Sequence, residues 1–148
     1  MIAEILATGD EIRTGALVDT NSAYLARRLE EMGITVSRHL CVGDDLGTIA
    51  AVLAEVGARA DVALVTGGLG PTEDDLTSAA AARAAGVPLD MNDAVLDAIQ
   101  VYFKRRNIPM PASNRRQALL PRGADILGNP VGTAPGFSMV IGRCRFCF

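Results

Sequence analysis

The sequence predicts an α/β fold on a mostly parallel sheet that ends in a C-terminal β-hairpin. Three observations carry this expectation. Strand-like segments at residues 2–7, 35–42 and 62–66 alternate with amphipathic helical stretches, the pattern of repeated β–α units. A glycine-rich turn, Thr66-Gly67-Gly68-Leu69-Gly70, lies where the third strand should give way to a helix. The last apolar segments, 137–141 and 144–148, are separated only by Gly142-Arg143, the length of a two-residue hairpin turn.

Each element has a local reason. Residues 2–7 are mostly apolar and read as a strand. Residues 22–32 set Leu25, Leu29 and Met32 on one helical face, with Asp19 or Thr20 as cap and Gly33 as terminator. Residues 35–42 return to strand character. Residues 46–56 carry Leu46, Ile49, Leu53 and Val56 as one stripe behind Asp45, a suitable cap. After the strand at 62–66 and the glycine turn comes an alanine-rich helix, 79–85, which Asp74 or Asp75 can cap. Asn92 caps a longer helix bearing Val95, Ile99, Tyr102 and Phe103, which Pro109 and Pro111 break. Residues 113–119 fit one or two helical turns, and 123–127 an edge strand.

The 148 residues suit one domain, 1–148, with 49% hydrophobic and 21% charged residues. No apolar run reaches membrane-spanning length, and the N-terminus lacks the basic start of a signal peptide, so no membrane partner is expected. A net charge of −3 gives no nucleic-acid footprint. Cys41, Cys144 and Cys147 with one histidine, His39, make neither a zinc set nor a Ser/His/Asp or Cys/His constellation. Packed thiols in a reducing, cytoplasmic compartment and a structural His39 are expected. The assembly is expected to be a homo-oligomer. Because the chain stops inside its last strand, a domain truncated at its C-terminal end is also expected.

The glycine turn is the main candidate for chemistry. Gly67, Gly68 and Gly70 let the backbone approach a ligand with its N–H groups exposed, and a turn opening a helix favours phosphate. It is neither G-x-x-x-x-G-K-S/T nor G-x-G-x-x-G, and it carries Glu73, Asp74 and Asp75 without a lysine. Ligands of parallel sheets sit beyond the carboxyl ends of the strands. Those ends hold Gly9-Asp10-Glu11, Gly43-Asp44-Asp45 and the acids of the glycine turn, with Asp19 and Asn21 facing the same edge. Carboxylates around a phosphate site call for a hard divalent cation such as magnesium or manganese. Asp19, Asp45 and Asp74 fit helix caps, which leaves Asp10, Asp44 and Asp75 as the better catalytic candidates. Residues 129–137, a second glycine/proline cluster with Gly132 and the hydroxyl of Thr133, either close over a ligand or merely connect elements. Lys104-Arg105-Arg106 and Arg115-Arg116 read as solvated faces, unless one arginine meets a pyrophosphate.

Together, Thr8-Gly9-Asp10-Glu11, Gly15, Asp19-Thr20-Asn21-Ser22, Val42-Gly43-Asp44, residues 66–77, Asn114 with Gln117-Ala118, and residues 129–137 resemble the competence/damage-inducible CinA family. More broadly they resemble the molybdopterin-binding (MoaB/Mog-like) fold of molybdenum-cofactor biosynthesis. The resemblance spans nearly the whole chain and implies a three-layer α/β/α domain. It implies metal-dependent ADP-ribose pyrophosphatase activity, with Asp44 and Asp75 as metal ligands to magnesium, manganese or cobalt. Asp10 then serves as general base or outer-shell ligand. The loop of Gly67, Gly68 and Gly70, with Thr72, Asp74 and Thr77, would hold phosphate. Asp19 and Asn21 would meet ribose, and Gly132 and Thr133 a phosphate. Two alternatives follow: a molybdopterin-binding or adenylyltransferase-type domain taking a pterin, and a non-catalytic nucleotide-sensing module. The family's continuation, LPGVPxEM, and its C-terminal deamidase domain lie beyond this sequence.

Overall fold

The computed structural model describes residues 1–148. Its main sheet has six strands in the order β2-β1-β3-β8-β7-β6. β1 (Ile2–Thr8), β2 (Thr35–Val42) and β3 (Val62–Thr66) run parallel, and β8 (Cys144–Cys147) is parallel to β3. β7 (Gly136–Ile141) and β6 (Asp125–Leu127) complete the sheet in antiparallel pairing, so β2 and β6 form its edges.

β1 is buried on both faces, which explains why it is apolar except for Glu4 and Thr8. Alternate side chains of β1 enter two separate cores. Ala3 and Ile5 pack with Leu29 of α2 (Thr20–Glu31) on one face. Leu6 joins the larger core on the other, with α3 (Leu46–Arg59), α4 (Thr77–Ala85) and α5 (Asp93–Arg105). Helices thus cover both sides of the sheet, as the three-layer expectation requires. Phe137, Phe146 and Phe148 stack in the larger core, with ring centroids 4.4 Å apart for Phe137 and Phe148 and 5.8 Å for Phe146 and Phe148.

Asp19, Asp45 and Asn92 cap α2, α3 and α5 by accepting the N–H groups of Ser22, Thr48 and Val95. The expectation that Asp74 or Asp75 caps α4 is overturned. Leu76 occupies the N-cap with no side-chain bond, because Asp75 is engaged inside the preceding loop. α4 also starts at Thr77, two residues earlier than expected. α3 continues through Gly57, where an added Cβ would lie 2.6 Å from the Ile141 carbonyl oxygen, so the glycine lets the helix sit close on the sheet.

Three elements were not anticipated. α1 (Asp10–Arg13) is one turn long, and its start is held from the end of β2, where Asp44 accepts the Asp10 N–H at 3.0 Å. β4 (Leu89–Met91) and β5 (Leu119–Pro121) form a separate antiparallel pair. The helical turns expected at 113–119 are a 3-10 helix, Ala112–Ala118, and Leu119 already belongs to β5. Such short pieces carry too little periodicity to show in a sequence.

The end of the sheet opposite the strand carboxyl termini is tied by charge. Buried Glu4 takes both Nε and Nη2 of Arg59, at 2.6 and 2.8 Å. Asp61 accepts the Ile2 N–H at 2.8 Å and Arg143 at 2.7 Å, which joins β1 to the hairpin. First the backbone bond and then the Arg143 guanidinium hold the Asp61 carboxyl below its ordinary range. A lowered folded-state pKa contributes stability above the unfolded value, which is lost as pH falls through the folded one. The unfolding temperature is therefore expected to fall on acidification below about pH 4, the ordinary carboxylate range. Asp61→Asn should flatten part of that fall, as thermal melts between pH 3 and 6 will show.

Candidate functional site

β1, β2 and β3 are parallel, so the loops after Thr8, Val42 and Thr66 meet on one edge. The antiparallel β7 begins on that edge too, with Gly136 level with the end of β8. Acids, glycine loop and second glycine/proline loop therefore lie along one rim, in that order across the sheet.

In the loop after β3, Gly67 and Gly68 have φ of 96° and 65°, values that favour glycine. An added Cβ would overlap the Thr8 carbonyl oxygen at Gly67 and the Thr77 hydroxyl at Gly68. Below the loop, the buried Thr77 hydroxyl donates to the Gly67 carbonyl at 2.9 Å and lies 3.1 Å from the Thr8 hydroxyl. Above it, Asp75 accepts the Gly70 N–H at 2.7 Å and the N–H and hydroxyl of Thr72 at 2.8 and 2.6 Å. The consecutive N–H groups of Gly67, Gly68 and Leu69 donate to nothing in the chain. The loop is thus locked from both sides with three adjacent donors unpaired.

This geometry redistributes the loop residues expected from sequence. Gly67 and Gly68 keep free donors, and Leu69, which sequence reasoning passed over, joins them. The N–H of Gly70 and both donors of Thr72 are taken by Asp75. Thr77 is fully buried beneath the loop and positions it without facing a ligand. Asp74 is exposed and takes part in no hydrogen bond. In the second loop, the Gly132 N–H goes to the Asn129 side chain at 3.1 Å, whereas the Thr133 hydroxyl has no partner.

The acids form a graded row. Asp44 uses Oδ2 on the Asp10 N–H and keeps Oδ1. Asp10 pairs through Oδ1 with the Arg13 Nε at 3.0 Å and keeps Oδ2. In Asp75, Oδ2 accepts twice and Oδ1 once, so one lone pair remains. Asp19 caps α2, and Asn21 beside it is exposed. Burial and then the Asp19 charge raise the pKa of Cys41 on β2, against Arg13, and Glu11 adds to the rise. No three His, Cys, Asp or Glu side chains gather closely enough to form a metal cage. The donors left over suit an ion held by one or two carboxylates and completed by phosphate and water, the habit of magnesium.

Two further features take a form that the sequence alone did not specify. Asn114 and Gln117 are buried; Asn114 donates to Gln117 at 2.9 Å, and Gln117 reaches the Leu69 carbonyl at 3.5 Å. A cavity of about 650 Å³ also opens between α5 and residues 128–135.

The model of a family described as a probable molybdopterin binding domain matches residues 4–145. A CinA-like protein of Desulfosudis oleivorans is 54% identical over 145 residues, which are 98% of this chain and 35% of that protein. One of Geobacter sulfurreducens is 48% identical over 143 residues, 97% of this chain and 35% of that protein. The chain spans about a third of the length of these curated relatives. CinA from Thermoplasma acidophilum, described as of unknown function, superposes with a TM-score of 0.89 at 31% identity, over 99% of this chain and 85% of that one. MoaB from Thermus thermophilus, described as a molybdopterin biosynthesis enzyme, shares the fold at a TM-score of 0.60 and 20% identity, over 99% and 78%. The chain belongs to the molybdopterin-binding domain family, on its CinA branch.

Proposed function

We propose that this domain hydrolyses the pyrophosphate bond of ADP-ribose or a related nucleotide with the help of a divalent cation. The observation that carries the reading is the row of free N–H groups at Gly67, Gly68 and Leu69, beside the carboxylates that end β1 and β2. The three donors bind phosphate oxygens, and Asp75 and Thr77 keep them aimed. Asp44, through its free Oδ1, and Asp75, through its one remaining lone pair, would hold the cation, which leaves Oδ2 of Asp10 free. When bound, a cation of this kind neutralises phosphate oxygens and makes a water more acidic. The Asp10 carboxylate, oriented by Arg13, accepts the proton of the attacking water. The water oxygen bonds to one phosphorus while the bridging oxygen leaves with the other phosphoryl group, which gives AMP and ribose 5-phosphate. Asn21 and the second oxygen of Asp19 face the ribose.

The family match favours a second reading, in which the same loop holds a pterin phosphate for adenylyl transfer. Incubation with ADP-ribose, and with ATP plus a pterin phosphate, each with magnesium, manganese or cobalt, separates them. AMP and ribose 5-phosphate are expected. An adenylylated pterin would favour the second reading, and binding without any product would leave a sensing module.

A further inference from the structure

The cavity beside α5 has a chemistry of its own. Val95, Ile99 and Ile126 line it with apolar surface, and Tyr102, Arg105 and Arg106 with aromatic and cationic groups. The Arg106 guanidinium lies 3.7 Å from the centre of the Tyr102 ring and makes a flat, cationic platform. Neither Arg105 nor Arg106 has a carboxylate within ion-pair distance, and no acid lines the cavity, in a chain whose net charge is −3. The free Thr133 hydroxyl stands at the wall shared with the rim. A volume of about 650 Å³ is that of a small-ligand site. Two strand positions, β8 and β7, separate its loop from the end of β3, or about 10 Å at the usual spacing.

The geometry points to this cavity as the seat of a planar nitrogen heterocycle belonging to the ligand whose phosphate lies on Gly67, Gly68 and Leu69. A guanidinium stacks on the negative π-face of a ring, the exposed Arg106 plane offers such a surface, and Val95 and Ile99 extend the same wall of α5 opposite Ile126 and residues 128–135. The inference rests on the glycine loop being the phosphate site. It adds that the rim reads both halves of a nucleotide, acids and loop on one side and ring platform on the other.

Amide shifts of the isotope-labelled chain, titrated with AMP and separately with ribose 5-phosphate, test this. AMP should move the signals of Gly67, Gly68 and Leu69 together with those of Ile99, Tyr102 and Ile126; ribose 5-phosphate should move only the loop. Arg106→Ala should weaken AMP about tenfold and leave ribose 5-phosphate unchanged, and Tyr102→Leu should act in the same direction. If AMP moves the loop but not the cavity, the ring platform is wrong and the phosphate site stands. If AMP moves neither, both fall. Equal affinity of AMP for Arg106→Ala and the parent chain would also overturn the platform.

Discussion

Asp75→Asn is expected to lower ADP-ribose turnover at least ~100-fold, because misplacing a positioning group by about 1 Å already costs that much. The carboxylate gathers the Gly70 N–H and both Thr72 donors on its two oxygens. An amide keeps only one oxygen and turns an N–H₂ group toward donors, so one side of the loop must open. The free N–H groups of Gly67, Gly68 and Leu69, one to three residues before Gly70, then lose their aim. Folding should survive, since the residue lies in a surface loop and the lost bonds amount to about 1–3 kcal/mol. Turnover and a thermal melt on the same sample check both parts. Unchanged hydrolysis would reduce Asp75 to a loop staple with no bearing on the reaction.

Phe137→Ala is expected to have the largest effect on stability, about 3–5 kcal/mol. Phe137 is fully buried and stacks on Phe148, whose ring lies against Phe146. Its backbone also exchanges hydrogen bonds with Phe148, at 3.0 and 2.8 Å. Deleting the ring leaves a cavity where the hairpin meets the larger core. Chemical denaturation measures the loss directly, and a fall in melting temperature on the order of 10 °C is expected for a domain of this size. A loss below about 1 kcal/mol would mean that the core collapses around the gap.

Much of this architecture was visible in the sequence because local rules agreed with the global fold. Strands β1, β2 and β3 are each longer than four residues and end at glycine or a capping acid. Asp19, Asp45 and Asn92 cap because each stands immediately before a periodic helix. The reading faltered where a side chain answers to a distant partner. Asp75 looked like a cap by position, yet it bonds backward into its own loop. Asp44 looked free for chemistry, yet one of its oxygens holds the start of α1. Thr77 looked like a phosphate ligand, yet packing places it under Gly67. The rim itself was foreseeable, because parallel strands put their carboxyl ends together. The ring platform was not: Tyr102 fell on the apolar stripe of α5, and Arg106 looked like one more solvated charge.

The most direct measurement is calorimetric titration of ADP-ribose, without added metal so that no turnover occurs, into the parent chain and into Gly68→Ala. The added methyl group would collide with the Thr77 hydroxyl and force Gly68 out of its left-handed conformation, which disrupts the row of free N–H groups. The account predicts saturable binding by the parent chain and at least ~100-fold weaker binding by the variant, as expected for losing two or more charge-assisted bonds of about 1.5 kcal/mol each. Equal affinity for both proteins, with the variant shown to be folded, would contradict the claim that this loop holds the pyrophosphate.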